Sequence, residues 1–188
     1  MSSSTTREEA RRLKLIAAVA IVGLAFFAAI ASLLPLVSEY SHTADYISEL
    51  AIGRYGYLQT VAFFAAGLGT LALAVGVREA TNSSWGSRLG SVLVGLNGVV
   101  GFILPGIFPT DEIDPAGRVV GSSTSAGAVH FVVSILGLAL GIAGVFVLSR
   151  TFKRDARWRA FWPWSLALAF AALVGFIVTE LSVEGWVE

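Results

Sequence analysis

Apolar and polar positions fall into long blocks along this chain. Apolar runs of about 20 residues occupy 15–37, 57–77, 89–108, 128–148 and 161–181. A helix rises about 1.5 Å per residue, so each run is long enough to cross a hydrocarbon core of about 30 Å. The longest polar interruption lies between Gly106 and His130, and another separates the first two runs at 38–56. The pattern predicts an all-α fold, a polytopic transmembrane helix bundle of five spans. One domain covers 15–188, behind an N-terminal segment 1–14. In that segment Thr6 and Glu9 have capping-box spacing, which predicts a short surface helix running into the first span. The first run continues through Leu36, past an Ala29-Ile-Ala31 that resembles a cleavage site, and is too long for a signal peptide.

Composition supports this picture and removes some chemistry. With a mean hydropathy of +0.76 and only 14% charged residues, the chain lacks the polar skin a soluble core needs. It has no cysteine, so disulfides, thiolate metal sites and cysteine nucleophiles are excluded. Net charge is zero, but its distribution is uneven. Of 13 Lys and Arg residues, only Arg54 and Arg118 fall outside the N-terminus and the connectors after spans two and four. The positive-inside rule then predicts a cytoplasmic N-terminus, with the loops 38–56 and 109–127 extracytoplasmic in a cell membrane. Tyrosines 40, 46, 55 and 57 fall on the outer side, while Trp85, Trp158, Trp162 and Trp164 sit at the inner boundary. An odd number of spans leaves room for a sixth helix in the intact protein.

Glycines punctuate the spans: Gly67 and Gly69, then Gly90, Gly98 and Gly101, then Gly137, Gly141 and Gly144. In lipid, small residues let helix backbones approach closely. This predicts helix packing within the bundle, with a dimer face as the other reading.

Candidate chemistry gathers at one end. On a helix over about 42–51, His42, Asp45, Tyr46 and Glu49 would share a face, with Gly53 as its stop. Asp111, Glu112 and Asp114 follow Pro105 and Pro109, which end span three. His130 opens span four and Glu180 closes span five. Two imidazoles with carboxylates suit a divalent metal such as zinc, with His42, Asp111 and His130 as ligands and a bound water as nucleophile. They equally suit a metal-free acid/base pair. A solvated outer helix and an interfacial, hydrogen-bonding histidine fit the same positions. Asn97, midway along span three, either bonds a neighbouring helix or floors a polar cavity that Gln59 and Thr60 would line. No phosphate-binding glycine loop, Gly-x-Ser-x-Gly elbow or basic/aromatic pattern occurs, so nucleic acid is not an expected partner. No basic residue lies within a span, which argues against a voltage sensor, and the histidines sit too far out for a buried bis-histidine haem.

Three motifs carry a resemblance. Asp45-Tyr-Ile-Ser48-Glu-Leu50 after span one, Gly106-Ile-Phe-Pro109-Thr-Asp111 after span three and a histidine opening span four resemble the domain-of-unknown-function 998 family of bacterial and archaeal membrane proteins. The resemblance implies a six-helix topology, with Gly185-Trp-Val-Glu188 leading into the last helix, and marks Ser48, Pro109, Asp111 and His130 as shared positions. It implies no activity. A looser likeness to ceramidase-type membrane hydrolases is weakened by the presence of only two histidines.

The expectation is an integral membrane protein in contact with membrane lipids, with an outward-facing polar site for a metal ion or lipid headgroup, and a membrane-embedded hydrolase is one form that site could take. His42, His130 and Asp111 would be the catalytic or metal-binding groups; Asp45, Ser48, Asn97 and Glu180 would bind ligand. The alternatives are a non-catalytic accessory subunit packed on a membrane-protein partner or on a second copy, and a small transporter. The transporter ranks last because no motif recurs between halves of the chain.

Overall fold

A computed structural model describes residues 3–38, 40–41, 45–111 and 124–183, with the side chains of 3–6 and 182–183 outside that description. His42, Glu112, Asp114 and 185–188 therefore lie outside the described residues. Among those described there is no strand, and five helical segments are long and apolar enough to cross a membrane. They are Arg7–Val37, Gly56–Ala80, Trp85–Ile107, Ser125–Arg154 and Arg159–Leu181. The all-α membrane bundle and its five spans stand as the hydropathy pattern predicted.

Local chemistry sets the breaks. Helix α1 (Ser3–Leu33) tightens into a 3-10 turn, Leu34–Val37, at Pro35, which has no N–H to continue the ladder. Helix α2 covers Gly56–Ala80. Span three is composite: α3 (Trp85–Asn97), a π-helical stretch Gly98–Ile103, and α4 (Leu104–Ile107). Pro105 explains the wide turn. In α geometry its ring would press on the carbonyl four residues back, at Gly101, and the i→i+5 bond from Leu104 N–H to Val99 O relieves that contact. Helix α5 (Ser125–Arg154) starts one turn earlier than the apolar run because Thr124 caps it, its hydroxyl accepting from Gly127 N at 3.0 Å. After a 3-10 turn at Arg159–Phe161, α6 (Trp162–Val183) completes the described chain.

Neighbours in sequence are neighbours in space. A cluster of Phe27, Phe63 and Phe102 joins α1, α2 and span three, with ring centroids 5.6 and 5.4 Å from Phe27. Phe146 meets Phe170 edge-on at 4.9 Å between α5 and α6. Glycines decide how near the helices come. Gly23 on α1 faces Gly69 on α2, where a Cβ on Gly69 would stand 3.2 Å from the Gly23 Cα. Gly101 in the π stretch faces Gly137 on α5 backbone to backbone; nearer the other end a Cβ on Gly90 would meet the Leu148 side chain, and one on Gly144 would meet Val94. The Gly137/Gly141/Gly144 face is thus covered by span three of the same chain. It serves packing, and a dimer face is not needed to explain it.

Contacts also define two ends. At the basic end, Arg12 pairs with Glu79. Here the buried Asp155 accepts from Asn82 N at 3.3 Å and Arg157 N at 3.0 Å. Trp158 Nε1 and Arg157 both donate to Ala80 O, closing the ends of α2 and α5 together. The other, acidic end carries the described residues between α1 and α2, the turn after span three and the start of α5.

One expectation changes here. Helix over 42–51 is not what the described residues form: they make only a 3-10 turn, Ile47–Ala51, with Tyr46 extended (φ −72°, ψ 147°) before it. The cause is local competition. The Asp45 carboxylate takes Ser41 N at 2.7 Å, a side-chain closure that competes with continued helix, and the chain is extended at Tyr46 immediately after it. Asp45, Tyr46 and Glu49 consequently do not share a helical face. Gly53 does end the segment, at φ +80°, a conformation glycine adopts without strain. That reversal lays Ala51 directly on Gly56 at the start of α2, where any Cβ would strike the Ala51 carbonyl.

Candidate functional site

The acidic end holds three polar arrangements. The first is a lock across the loop between spans three and four. Asp111 accepts from both the backbone N–H (3.0 Å) and the hydroxyl (2.6 Å) of Thr124, the residue that caps α5. A carboxylate at a helix N-terminus is also favoured by the helix dipole. A Cβ on Gly127 would run into this carboxyl group. Asp111, expected as a catalytic or metal-binding group, bonds the residue that caps the start of α5.

The second arrangement ties the segment before α2 to the end of α6. Tyr46 donates its hydroxyl to Glu180 at 3.4 Å, and Glu49 accepts from Tyr46 N at 2.8 Å. Tyr40 donates to the Asp45 carbonyl at 3.2 Å. Asp45, Glu49 and Glu180 are thus linked through two tyrosines, and Ser48 stands half-buried in the same turn. Burial, then the nearby charge of Asp45, push the Glu49 carboxyl up to about 7, against a lowering by its bond from Tyr46. Burial together with Asp45 and Glu49 likewise raises the Tyr40 phenol.

This has a direct consequence for pH. The ordinary value for Glu49 is 4.5, so below that pH it is neutral in folded and unfolded chains alike and opposes nothing. As pH rises from 4.5 toward about 7, the unfolded carboxyl ionises first and the turn loses stability, fully so above the folded value. Hydrogen-exchange protection at 45–51, corrected for intrinsic rates, is expected to fall between about pH 5 and about pH 8. In Glu49→Gln the profile should be flat. A wild-type profile that is already flat would show that Glu49 ionises freely.

The third arrangement centres on His130. The residue lies in the second turn of α5, near the outer end of the span, and is 4% exposed, so its side chain is packed within the bundle. Its Nδ1 is 2.7 Å from Phe108 O. A carbonyl only accepts, so Nδ1 carries the proton, and a neutral ring presents a bare Nε2 lone pair. Phe108 is the residue at which span three leaves helical geometry, and its carbonyl is one of those a helix end leaves unsatisfied. His130 Nε2 is buried with no hydrogen-bond partner among the described residues. The Phe63 ring lies edge-on to the imidazole at 6.3 Å. One turn before Phe63 on the same face of α2 is Gln59, 0% exposed, and both polar atoms of its amide are likewise without a partner. The Ile47–Ala51 turn, whose Leu50 is buried, packs against α2 at the same end of the bundle.

Asn97 belongs elsewhere. It stands against Gly101 and Gly141, where Cβ atoms would meet its amide, at the junction of span three and α5. Gly141 is eleven residues beyond His130 on α5, roughly 16 Å along the axis at helical rise, so the structure does not bring Asn97 to His130. Among the described residues no three His, Asp or Glu side chains stand close enough to hold a metal ion. The expected zinc set includes His42, outside the described residues.

The family model described as "Protein of unknown function (DUF998)" matches residues 17–187. The chain belongs to the DUF998 family. Comparison with curated proteins and with solved structures gives no match. Of the positions that the resemblance marked in this DUF998 chain, Asp111 and His130 take up distinct roles, one bonding the residue that caps α5 and one bonding the end of span three. Two contributors escaped the site expected from sequence. Thr124 was hidden in a Gly/Ser-rich run, although a Thr just before an apolar run is a capping signal. Gln59 was noted only as a lining residue, because its full burial is seen only in the folded chain.

Proposed function

We propose that this membrane protein binds the hydroxyl-bearing headgroup of a lipid at Gln59 and His130, toward the extracytoplasmic end of the bundle. The charge distribution supports that orientation, with the N-terminus cytoplasmic. The observation that carries the proposal is two buried, unpartnered side chains, Gln59 on α2 and His130 on α5, with Phe63, one turn from Gln59, edge-on to the imidazole. An unsatisfied buried polar group costs about 1–3 kcal/mol, so such groups are retained where something meets them. Their chemistry selects the occupant. His130 Nε2 and the Gln59 carbonyl need donors, while the Gln59 amide nitrogen needs an acceptor, and a hydroxyl supplies both functions. Binding is also better supported than hydrolysis, because His130 Nε2 meets no hydroxyl or carboxylate partner among the described residues.

Native mass spectrometry of the chain released from mild detergent tests this. Wild type is expected to retain a glycolipid or other hydroxylated lipid, and Gln59→Leu with His130→Phe to lose it. Identical lipid complements in both proteins would assign the two side chains to ordered water and remove the idea.

An accessory subunit is the second reading, favoured by α6. That helix packs on α5 and the turn before it, leaving Leu168, Val174, Ile177 and Val178 each about half exposed or more. A second protein chain in the same spectra would favour it; bound lipid alone would not.

A further inference from the structure

A cavity of about 370 Å³ opens at the basic end, between the start of α3 and the last turns of α5. Its α5 wall is Val147, Arg150, Thr151 and Arg154, spaced i, i+3, i+4 and i+7 and therefore on one face. Its α3 wall is Trp85 and Gly86, with Trp85 76% exposed. Gly86 lets the two walls meet, since a Cβ there would stand 2.6 Å from Thr151 Oγ1.

The charges around this cavity are not equivalent. Arg157 is occupied by Asp155 and the Ala80 carbonyl, and Lys153 lies over the Trp162 ring at 4.9 Å. Asp155 is buried and holds Asn82 N and Arg157 N. Arg150 and Arg154 are exposed, both line the cavity, and neither has a carboxylate partner among the described residues. Beside them the first two amides of α3, at Trp85 and Gly86, have no acceptor within their own helix. Further along α5, away from the arginines, the wall becomes apolar at Val147.

We propose that this groove binds an anionic phospholipid, with its phosphate between Arg150 and Arg154 and its upper acyl chain along Val147 and the Trp85 indole. Arginine forks suit phosphate oxygens, and the first amides of α3 add donors on the opposite wall. The order of the lining favours a lipid over free phosphate: charge at the end of the helix, apolar surface one to two turns toward the span. The groove is at the opposite end of the bundle from His130 and does not depend on that site.

The test titrates the full chain in neutral detergent with phosphatidylglycerol or phosphatidylcholine and reads bound lipid by native mass spectrometry. Wild type is expected to prefer phosphatidylglycerol. Arg150→Gln with Arg154→Gln should weaken its binding by about thirtyfold and leave phosphatidylcholine unchanged. Trp85→Ala should weaken it less, and Arg7→Gln with Arg11→Gln, an equal charge change outside the groove, should not. Both arginines are exposed, and an unchanged melting temperature confirms an intact fold. Equal binding of the two lipids, or a preference surviving the double substitution, would overturn the proposal. So would displacement of phosphatidylglycerol by millimolar inorganic phosphate, which would make this a free-phosphate site.

Discussion

Gly137→Leu is expected to cost about 1–3 kcal/mol or more of stability, seen as a lower melting temperature in detergent. The neighbour it meets is backbone: a Cβ at 137 would fall on the Cα and N of Gly101, and one at 101 would lie 3.1 Å from the Gly137 Cα. No flexible side chain can swing aside, so span three and α5 must separate along their length. Lipid offers little hydrophobic drive to hold them, and the dispersion lost between close backbones is not regained elsewhere. The separation should also shift Phe108 from His130, so lipid retention at the acidic end should fall with stability. Gly175→Leu is the matched control, because nothing lies within 4 Å of a Cβ at that position on α6. If the two variants melt alike, the close approach of Gly101 and Gly137 does not govern the bundle.

The spans were legible in the sequence because membrane thickness is a length criterion that apolar runs satisfy one at a time. What was less legible depends on contacts between segments. The glycines of span four announced a close approach but not to whom; that required Gly101 and Gly90 to be placed opposite them. Pro105 announced an interruption, but the π stretch came from how its ring meets the preceding turn. At 42–51, helical spacing of polar residues suggested a shared face, while a stronger local signal, Asp45 closing on Ser41, prevented it. Charge spacing describes a helix only where the backbone has no better local alternative. The candidate site divides in the same way. His130 and Asp111 stood out as polar groups beside apolar runs, but their partners Phe108 and Thr124 could be found only in the folded chain. Gln59 was least legible, since an amide three residues into a span reads as interfacial until its full burial in the folded chain is seen.

Gln59→Leu is expected to stabilise the lipid-free protein by about 1–3 kcal/mol, the desolvation cost of an unsatisfied amide. Leucine is close to glutamine in shape, so the enclosed space at 0% exposure is refilled without a large cavity, and two unmet polar atoms are removed. His130→Phe should act in the same direction but less, because it also releases the Phe108 carbonyl from its 2.7 Å bond. Adding back the retained lipid should stabilise wild type and leave Gln59→Leu unmoved, so that the order of melting temperatures reverses. This reversal separates a binding residue from a structural one. A glutamine kept for the fold, bonded through water to its neighbours, would make the leucine variant less stable in every condition. Stability given up at a buried polar group and recovered only when ligand is present is the thermodynamic signature of a site maintained for function. In this bundle Gln59 is where that exchange should be largest, because it has the most unmet polar atoms and the least contact with solvent.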